Sequence, residues 1–317
     1  MKILNRISNF DDGKRKYFSI FISVAIAILL TLLGIYVIED YGIALFILVP
    51  FFLGFSPVII YGYNNDFSRS KAHELGFLSF GIFLACLIAF AIEGLICIVM
   101  ALPIGLAFTW IGILTGYFLI NNNPTKGPPT LIIFIFLIPT FSFVESGFEP
   151  KLYTVVTSIE INASPEEVWK NVVEFPELKE PTEFIFKTGI AYPINAKIKG
   201  KGVGAIRYCN FTTGSFVEPI TKWDEPNLLA FDVLKQPLPM KEMSFWDIDA
   251  PHLHDYFVSK RGQFKIVNLG NGKVKLIGTT WYYNDIKPNF YWNIWSENII
   301  HKIHNRVLNH IKINSEK

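Results

Sequence analysis

The hydrophobic pattern changes kind part-way along the chain. Up to about Val144 apolar residues run in long blocks, and from about Tyr153 they alternate with polar ones. The first part holds four blocks bounded by polar breaks, residues 17–38, 41–63, 75–120 and 129–144. A helix needs about 20 apolar residues to cross the hydrocarbon core of a bilayer. The third block is about twice that length and predicts a helical hairpin turning near Ala101-Leu102-Pro103, so five spans are expected, the last one short. The first block is too long for a cleaved signal peptide and lacks a small-x-small cleavage site.

In the second part, alternation predicts strands over residues 154–161, 184–192, 204–212, 216–223, 228–234, 254–267 and 273–283. Asn271-Gly272 between the last two predicts a tight hairpin. Ser164 followed by Pro165, Glu166 and Glu167 predicts a helix start: a hydroxyl N-cap, proline at the first helical position, and acids facing the dipole. Val168 and Trp169 then turn inward. From about Asn289 the chain ends in a long amphipathic helix. Ile300, His304, Val307 and Ile311 share one face of it, while Lys302, Arg306 and Lys312 lie mostly elsewhere. The expected fold class is an α-helical transmembrane bundle over residues 1–148, followed by an α+β domain over 149–317. In that domain a curved antiparallel sheet wraps the terminal helix and encloses a cavity.

Composition agrees with a membrane protein: mean hydropathy is +0.34, with 51% hydrophobic and 18% charged residues. The 29 Lys and Arg nearly balance 27 Asp and Glu, and no concentrated basic face is visible, so no nucleic-acid partner is expected. Cys86, Cys97 and Cys209 are scattered and make neither a disulfide framework nor a metal knuckle. Basic residues cluster at Lys2, Arg6, Lys14, Arg15 and Lys16, at Arg69 and Lys71, and at Lys126; the loop at Glu39-Asp40 and the hairpin turn carry none. With five spans these basic segments fall on one side, which predicts a cytoplasmic N-terminus and an extracytoplasmic C-terminal domain. One span fewer inverts the domain. Glu93 is the one carboxylate inside the blocks. Without a second intramembrane acid, base or histidine to form a relay, a bond to a neighbouring helix near the interface is favoured over a transport role.

The stretch Ile159-Glu160-Ile161-Asn162-Ala163-Ser164-Pro165-Glu166-Glu167-Val168-Trp169, with the strand order and terminal helix, resembles the START-like superfamily. This is the helix-grip, polyketide-cyclase-like (SRPBCC) group, and the resemblance covers about residues 152–313. Arg207-Tyr208-Cys209-Asn210-Phe211, Pro251-His252-Leu253-His254, Thr280-Trp281-Tyr282 and Ile300-His301-Lys302-Ile303-His304 are similar to stretches in a membrane-attached bacterial branch. The resemblance implies a helix-grip domain in a multi-pass protein of the bacterial cytoplasmic (inner) membrane. The superfamily includes lipid carriers, hormone sensors, cyclases and oxygenase subunits, so the site has to choose between them.

Candidate ligand-binding residues are Ile300, His304 and Val307 on the apolar helix face, Glu297 a turn earlier, His254, Arg207 on a central strand, Trp281 and Trp246. Glu297, His301 and His304 are spaced i, i+4, i+7. Zinc would need three ligands converging, and no motif ties this group to His252 and His254, so neither a metal nor a cofactor is expected. His304 suits acid–base chemistry better than His301, and a polar anchor for a ligand head group is favoured over a catalyst. Arg207 and Arg261 could meet an acidic ligand; the alternative is a solvated strand edge or a β-bulge at Gly262. The glycine-rich run Gly200-Lys201-Gly202-Val203-Gly204 opens no helix and is no phosphate cradle. No nucleophile elbow, HExxH or P-loop is present in the sequence. Residues 236–251, with Met240, Met243, Phe245 and Trp246, read either as a gate facing the lipid head groups or as a satellite core.

The function expected is a membrane-held module that binds a lipid or other apolar small molecule for transfer or sensing, with membrane lipids as partners. The alternative is a cyclase- or hydrolase-like enzyme using His304 with Glu297, His252 or His254. A third reading is a docking platform for another membrane protein.

Overall fold

The computed structural model describes residues 10–122, 127–244, 246 and 248–317. Two compact units result: Met1–Glu149 with Ser244–Pro251 and Ile286–Pro288, and Pro150–Met243 with His252–Asp285 and Asn289–Lys317. Lys2, Arg6, Lys126 and Phe245, which the sequence reading used, lie outside the described residues.

The first unit is helical. Helix α1 (Asp12–Leu33) continues as a π-helical turn, Gly34–Ile38, and α2 (Val49–Gly62) is preceded by another, Ala44–Leu48. Then follow α3 (Arg69–Ala89), α4 (Leu95–Asn122) and α5 (Gly127–Glu145). Among the described residues four segments, Asp12–Ile38, Ala44–Gly62, Arg69–Ala89 and Leu95–Asn122, are long and apolar enough to cross a membrane, while Thr130–Glu145 is a shorter apolar helix.

The long third block is a hairpin, but it does not turn at residues 101–103. The chain reverses between Ala89 and Leu95, where Ala91 adopts a left-handed φ of 54° and the amide of Ile92 bonds back to Leu87 O at 2.9 Å. Pro103 lies inside α4 instead, as proline can in an apolar helix whose neighbours re-satisfy the freed carbonyl. Glu93 therefore sits in the turn and not within a span. It is buried there and accepts a hydrogen bond from Tyr41 Oη at 3.0 Å. Helices α2 and α4 meet backbone to backbone. A Cβ on Gly54 would lie 2.0 Å from Thr109 O, and one on Gly112 would lie 2.1 Å from Phe51 O, so only glycine permits this approach.

The second unit is a seven-stranded antiparallel sheet in the order β1-β7-β6-β5-β4-β3-β2. Its strands are β1 (Leu152–Ile161), β2 (Pro193–Lys199), β3 (Ile206–Phe211), β4 (Gly214–Asp224), β5 (Leu228–Asp232), β6 (Phe257–Gly270) and β7 (Lys273–Asn284). Two helices accompany it, α6 (Pro165–Val173) and the terminal α7 (Asn289–Ser315). A curved antiparallel sheet with a long C-terminal helix is the helix-grip arrangement.

Local chemistry explains the turns. Ser164 caps α6 by accepting from the Glu167 amide at 3.3 Å. Asn271 and Gly272 both take left-handed φ, 51° and 69°, as a type I′ hairpin requires. Residues 184–192 do not form the strand expected there. Phe184–Thr188 is a short 3-10 turn that Gly189 ends at φ 99°. The strand at this sheet edge is β2, which opens on a proline and carries Lys197 and Lys199. Proline and lysine are edge-strand devices that dilute the apolar alternation. Likewise β6 begins at Phe257 and not at residue 254, because Pro251–Leu253 is a 3-10 turn and Asp255 has φ 58°.

The core of this unit lies between the sheet and its helices. Val168, Trp169 and Val172 from α6 and Val307, Leu308 and Ile311 from α7 pack on Ile161, Leu229, Phe231, Ile266, Val274 and Leu276.

Candidate functional site

Successive strand residues point to opposite faces. On β7 the residues turned toward α7 include Leu276, Thr280 and Tyr282; on β3 the inward residues are Arg207, which reaches the end of α6, and Cys209, which joins the core. Two groups of polar side chains on this face stand out against the apolar core.

The first is centred on His304, a partly buried residue of α7. Its Nδ1 is 3.0 Å from Thr157 Oγ1 on β1, and its Nε2 is 2.8 Å from Thr280 Oγ1 on β7. Thr157 Oγ1 also lies 2.8 Å from His301 Nδ1. A neutral imidazole has one donor and one acceptor nitrogen, and a hydroxyl can satisfy either. Burial, and then the neighbouring His301, bring the His304 pKa down to about 4. The ring is therefore neutral under ordinary conditions. Ile300 and Val307 flank it and are buried, Ile300 in a small cluster with Val155 and Tyr282.

The second group is centred on Arg207, of which only 1% is exposed. Glu218 stands directly opposite on β4, and Arg207 Nη1 donates to Glu218 Oε2. Arg207 Nε donates to Val173 O, at the end of α6, at 3.2 Å. The guanidinium lies 5.5 Å from the Phe175 ring and 5.6 Å from the rings of Phe231 and Phe264. Cys209 is beside it; burial pushes that thiol up to about 12, so it stays protonated. Burial also raises Glu218, and Arg207 draws it back toward its ionised form. Arg207 Nη2 makes no hydrogen bond among the described residues. Gly262 matters here through its missing side chain. A Cβ on it would lie 2.7 Å from the Phe231 ring, so glycine lets that ring cover Arg207. Gly262 is not a bulge, because the register shift in β6 falls between Ser259 and Arg261.

Tyr282, fully buried near Ser296, also has a hydroxyl without a hydrogen bond among the described residues, and burial raises its pKa.

The other expected residues go elsewhere. Glu297 is exposed, so the i, i+4, i+7 spacing does not bring it inside with His304. His254 is exposed, and His252 is buried in the turn before β6, where burial lowers its pKa to about 4. Within this unit, no three described His, Cys, Asp or Glu side chains come close enough together to share a metal ion. Trp281 faces away from α7 and lies under the exposed guanidinium of Arg261, 4.4 Å from ring centre to carbon. Arg207 is buried and paired with Glu218, which supplies a counter-charge from within the sheet. In the 236–251 segment, Met240 is buried and pairs with Ile190, whereas Met243 and Trp246 are exposed.

Sequence reasoning missed Glu218, Thr157, Thr280 and Tyr282. The threonines carried one usable signal, a hydroxyl at an inward position of the strand alternation. Glu218 carried none without the β3–β4 register.

No family model matches the sequence, and no curated protein does. Solved structures do resemble it at low identity. A truncated norcoclaurine synthase from Thalictrum flavum is 16% identical with a TM-score of 0.34, over 52% of this chain and 94% of that one. The XoxI protein of Bacillus cereus is 14% identical with a TM-score of 0.33, over 51% of this chain and 94% of that one. A protein from Chromobacterium violaceum is 10% identical with a TM-score of 0.33, over 52% of this chain and 97% of that one. Such likenesses carry no ligand or activity to this chain. The helix-grip description stands on the strand order and the terminal helix themselves.

Proposed function

We propose that this chain is a membrane protein whose helix-grip unit holds an apolar small molecule between α7 and the sheet, for transfer or sensing. The observation that carries this reading is the unpaired Nη2 of Arg207 within an apolar, aromatic interior. A buried donor left without a partner costs about 1–3 kcal/mol. A ligand oxygen would recover that cost, and apolar walls with few polar groups are what small-molecule sites offer. Ile300, Val307 and His304 are the proposed wall, with His304 as a neutral polar anchor.

A catalytic reading with His304 as acid or base has less support. Both of its ring nitrogens are engaged by threonine hydroxyls, and its expected partners Glu297 and His254 are exposed.

The helical unit is proposed to span the bacterial cytoplasmic membrane five times, with α5 as the fifth span. Nineteen residues give α5 a length of about 28 Å, close to the hydrocarbon thickness. Ile132, Ile133, Phe136, Leu137, Phe143 and Val144 are exposed along it, which suits lipid. The basic-loop asymmetry then makes the N-terminus cytoplasmic and the helix-grip unit extracytoplasmic.

Native mass spectrometry of the full chain, released from mild detergent, tests the ligand reading. The expected result is a co-purifying apolar molecule that organic extraction removes. Protein that carries only detergent, and takes up no apolar molecule when offered one, would overturn it.

A further inference from the structure

We infer that the ligand group received at Arg207 is a neutral oxygen acceptor, a carbonyl, ester or hydroxyl of an uncharged apolar molecule, and not a carboxylate or phosphate. This inference rests on the ligand-binding reading above and narrows its chemistry.

Three features of the site point the same way. The first is charge. Arg207 and Glu218 neutralise one another across the β3–β4 pair, and the adjacent Cys209 is held as the neutral thiol. An anion at Nη2 would leave the buried group with a net negative charge beside Glu218, and burying uncompensated charge is far costlier than burying a satisfied polar group.

The second is hydrogen-bonding capacity. An arginine recognises carboxylates and phosphates through two nitrogens acting as a fork. Here Nε is given to Val173 O and Nη1 to Glu218, and the neighbouring Cys209 sulfur is only a weak acceptor, so one nitrogen, Nη2, is left without an oxygen partner. A single nitrogen suits a single acceptor oxygen. The third is the wall. Aromatic faces are the negative side of the ring quadrupole, and the rings of Phe175, Phe231 and Phe264 surround the guanidinium. They favour the cation already present and disfavour an added anion.

Matched probes of one chain length test this on the full chain in detergent: monooleoylglycerol and oleate, the latter at a pH where it is ionised, with occupancy read by native mass spectrometry. The neutral probe is expected to bind at least about ten-fold more tightly than oleate. Replacing the ion pair by Arg207→Met with Glu218→Leu keeps the interior apolar and uncharged, and should reduce monooleoylglycerol binding about ten-fold without unfolding the protein. Equal or tighter binding of oleate would overturn the neutral-acceptor inference and leave the ligand reading standing. Unchanged monooleoylglycerol binding in the folded double variant would remove Arg207 from the site. Failure of both probes to bind would overturn the inference together with the reading beneath it.

Discussion

Arg207 on β3 and Glu218 on β4 are direct partners in the antiparallel register, and their side chains close an ion pair that is nearly inaccessible to solvent. Burying two charges together costs desolvation of both, which the pairing offsets; removing one partner leaves the other uncompensated. Glu218→Ala is therefore expected to destabilise the protein by about 3–5 kcal/mol. Arg207→Met combined with Glu218→Leu should recover most of that loss. Thermal unfolding of the single and double variants in the same detergent measures this, and additive losses would contradict it.

A second expectation concerns pH. His304 has a pKa of about 4 in the folded chain against 6.5 for an ordinary histidine, chiefly through burial. As pH falls, the unfolded chain takes up this proton first. The stability linked to His304 is therefore fully present above about 6.5 and is lost as pH falls toward 4. His252, lowered to about 4 by burial, acts in the same window. His304→Gln keeps a donor and an acceptor but cannot titrate, so its melting temperature should fall less steeply across this range. An unchanged slope would argue against the assignment.

The helical unit offers a sharper steric test. Gly112→Val would drive a side chain into Phe51 O at the α2–α4 crossing, whereas Gly81→Ala enters open space. The first should cost at least about 1–3 kcal/mol and promote aggregation on heating in detergent, and the second should change little. Similar melting temperatures for the two variants would contradict the close crossing.

Membrane topology can be read at the C-terminus. Ser315 is a poor labelling position because it is buried and accepts a hydrogen bond from Asn171 at 3.1 Å. Lys317 is exposed. Lys317→Cys, in a background with Cys86→Ala and Cys97→Ala, should react with an impermeant maleimide on intact cells. Reaction only after permeabilisation would place the helix-grip unit in the cytoplasm and remove one proposed span.

Features decided within a few residues were legible in the sequence. Ser164 and the acids after Pro165 mark a helix start because a hydroxyl can reach an amide three residues on. Asn271-Gly272 marks a hairpin because both positions tolerate left-handed φ. The apolar blocks announced membrane-length helices because hydrocarbon thickness sets a minimum run, and the face shared by Ile300, His304 and Val307 followed from helical period alone. Tertiary structure decided the rest, since each remaining feature depends on residues far apart in sequence. Strand register set Glu218 opposite Arg207 and brought Thr157 and Thr280 to the two sides of one imidazole. The position of α7 over the sheet left Glu297 in solvent while covering Ile300, two residues that a helical wheel separates by less than a turn. Residues 184–188 became a turn and Pro193–Lys199 an edge strand because pairing with β3 was available to the second segment. Local pattern records which face a side chain prefers; which groups meet on that face is settled by pairing and packing between distant elements.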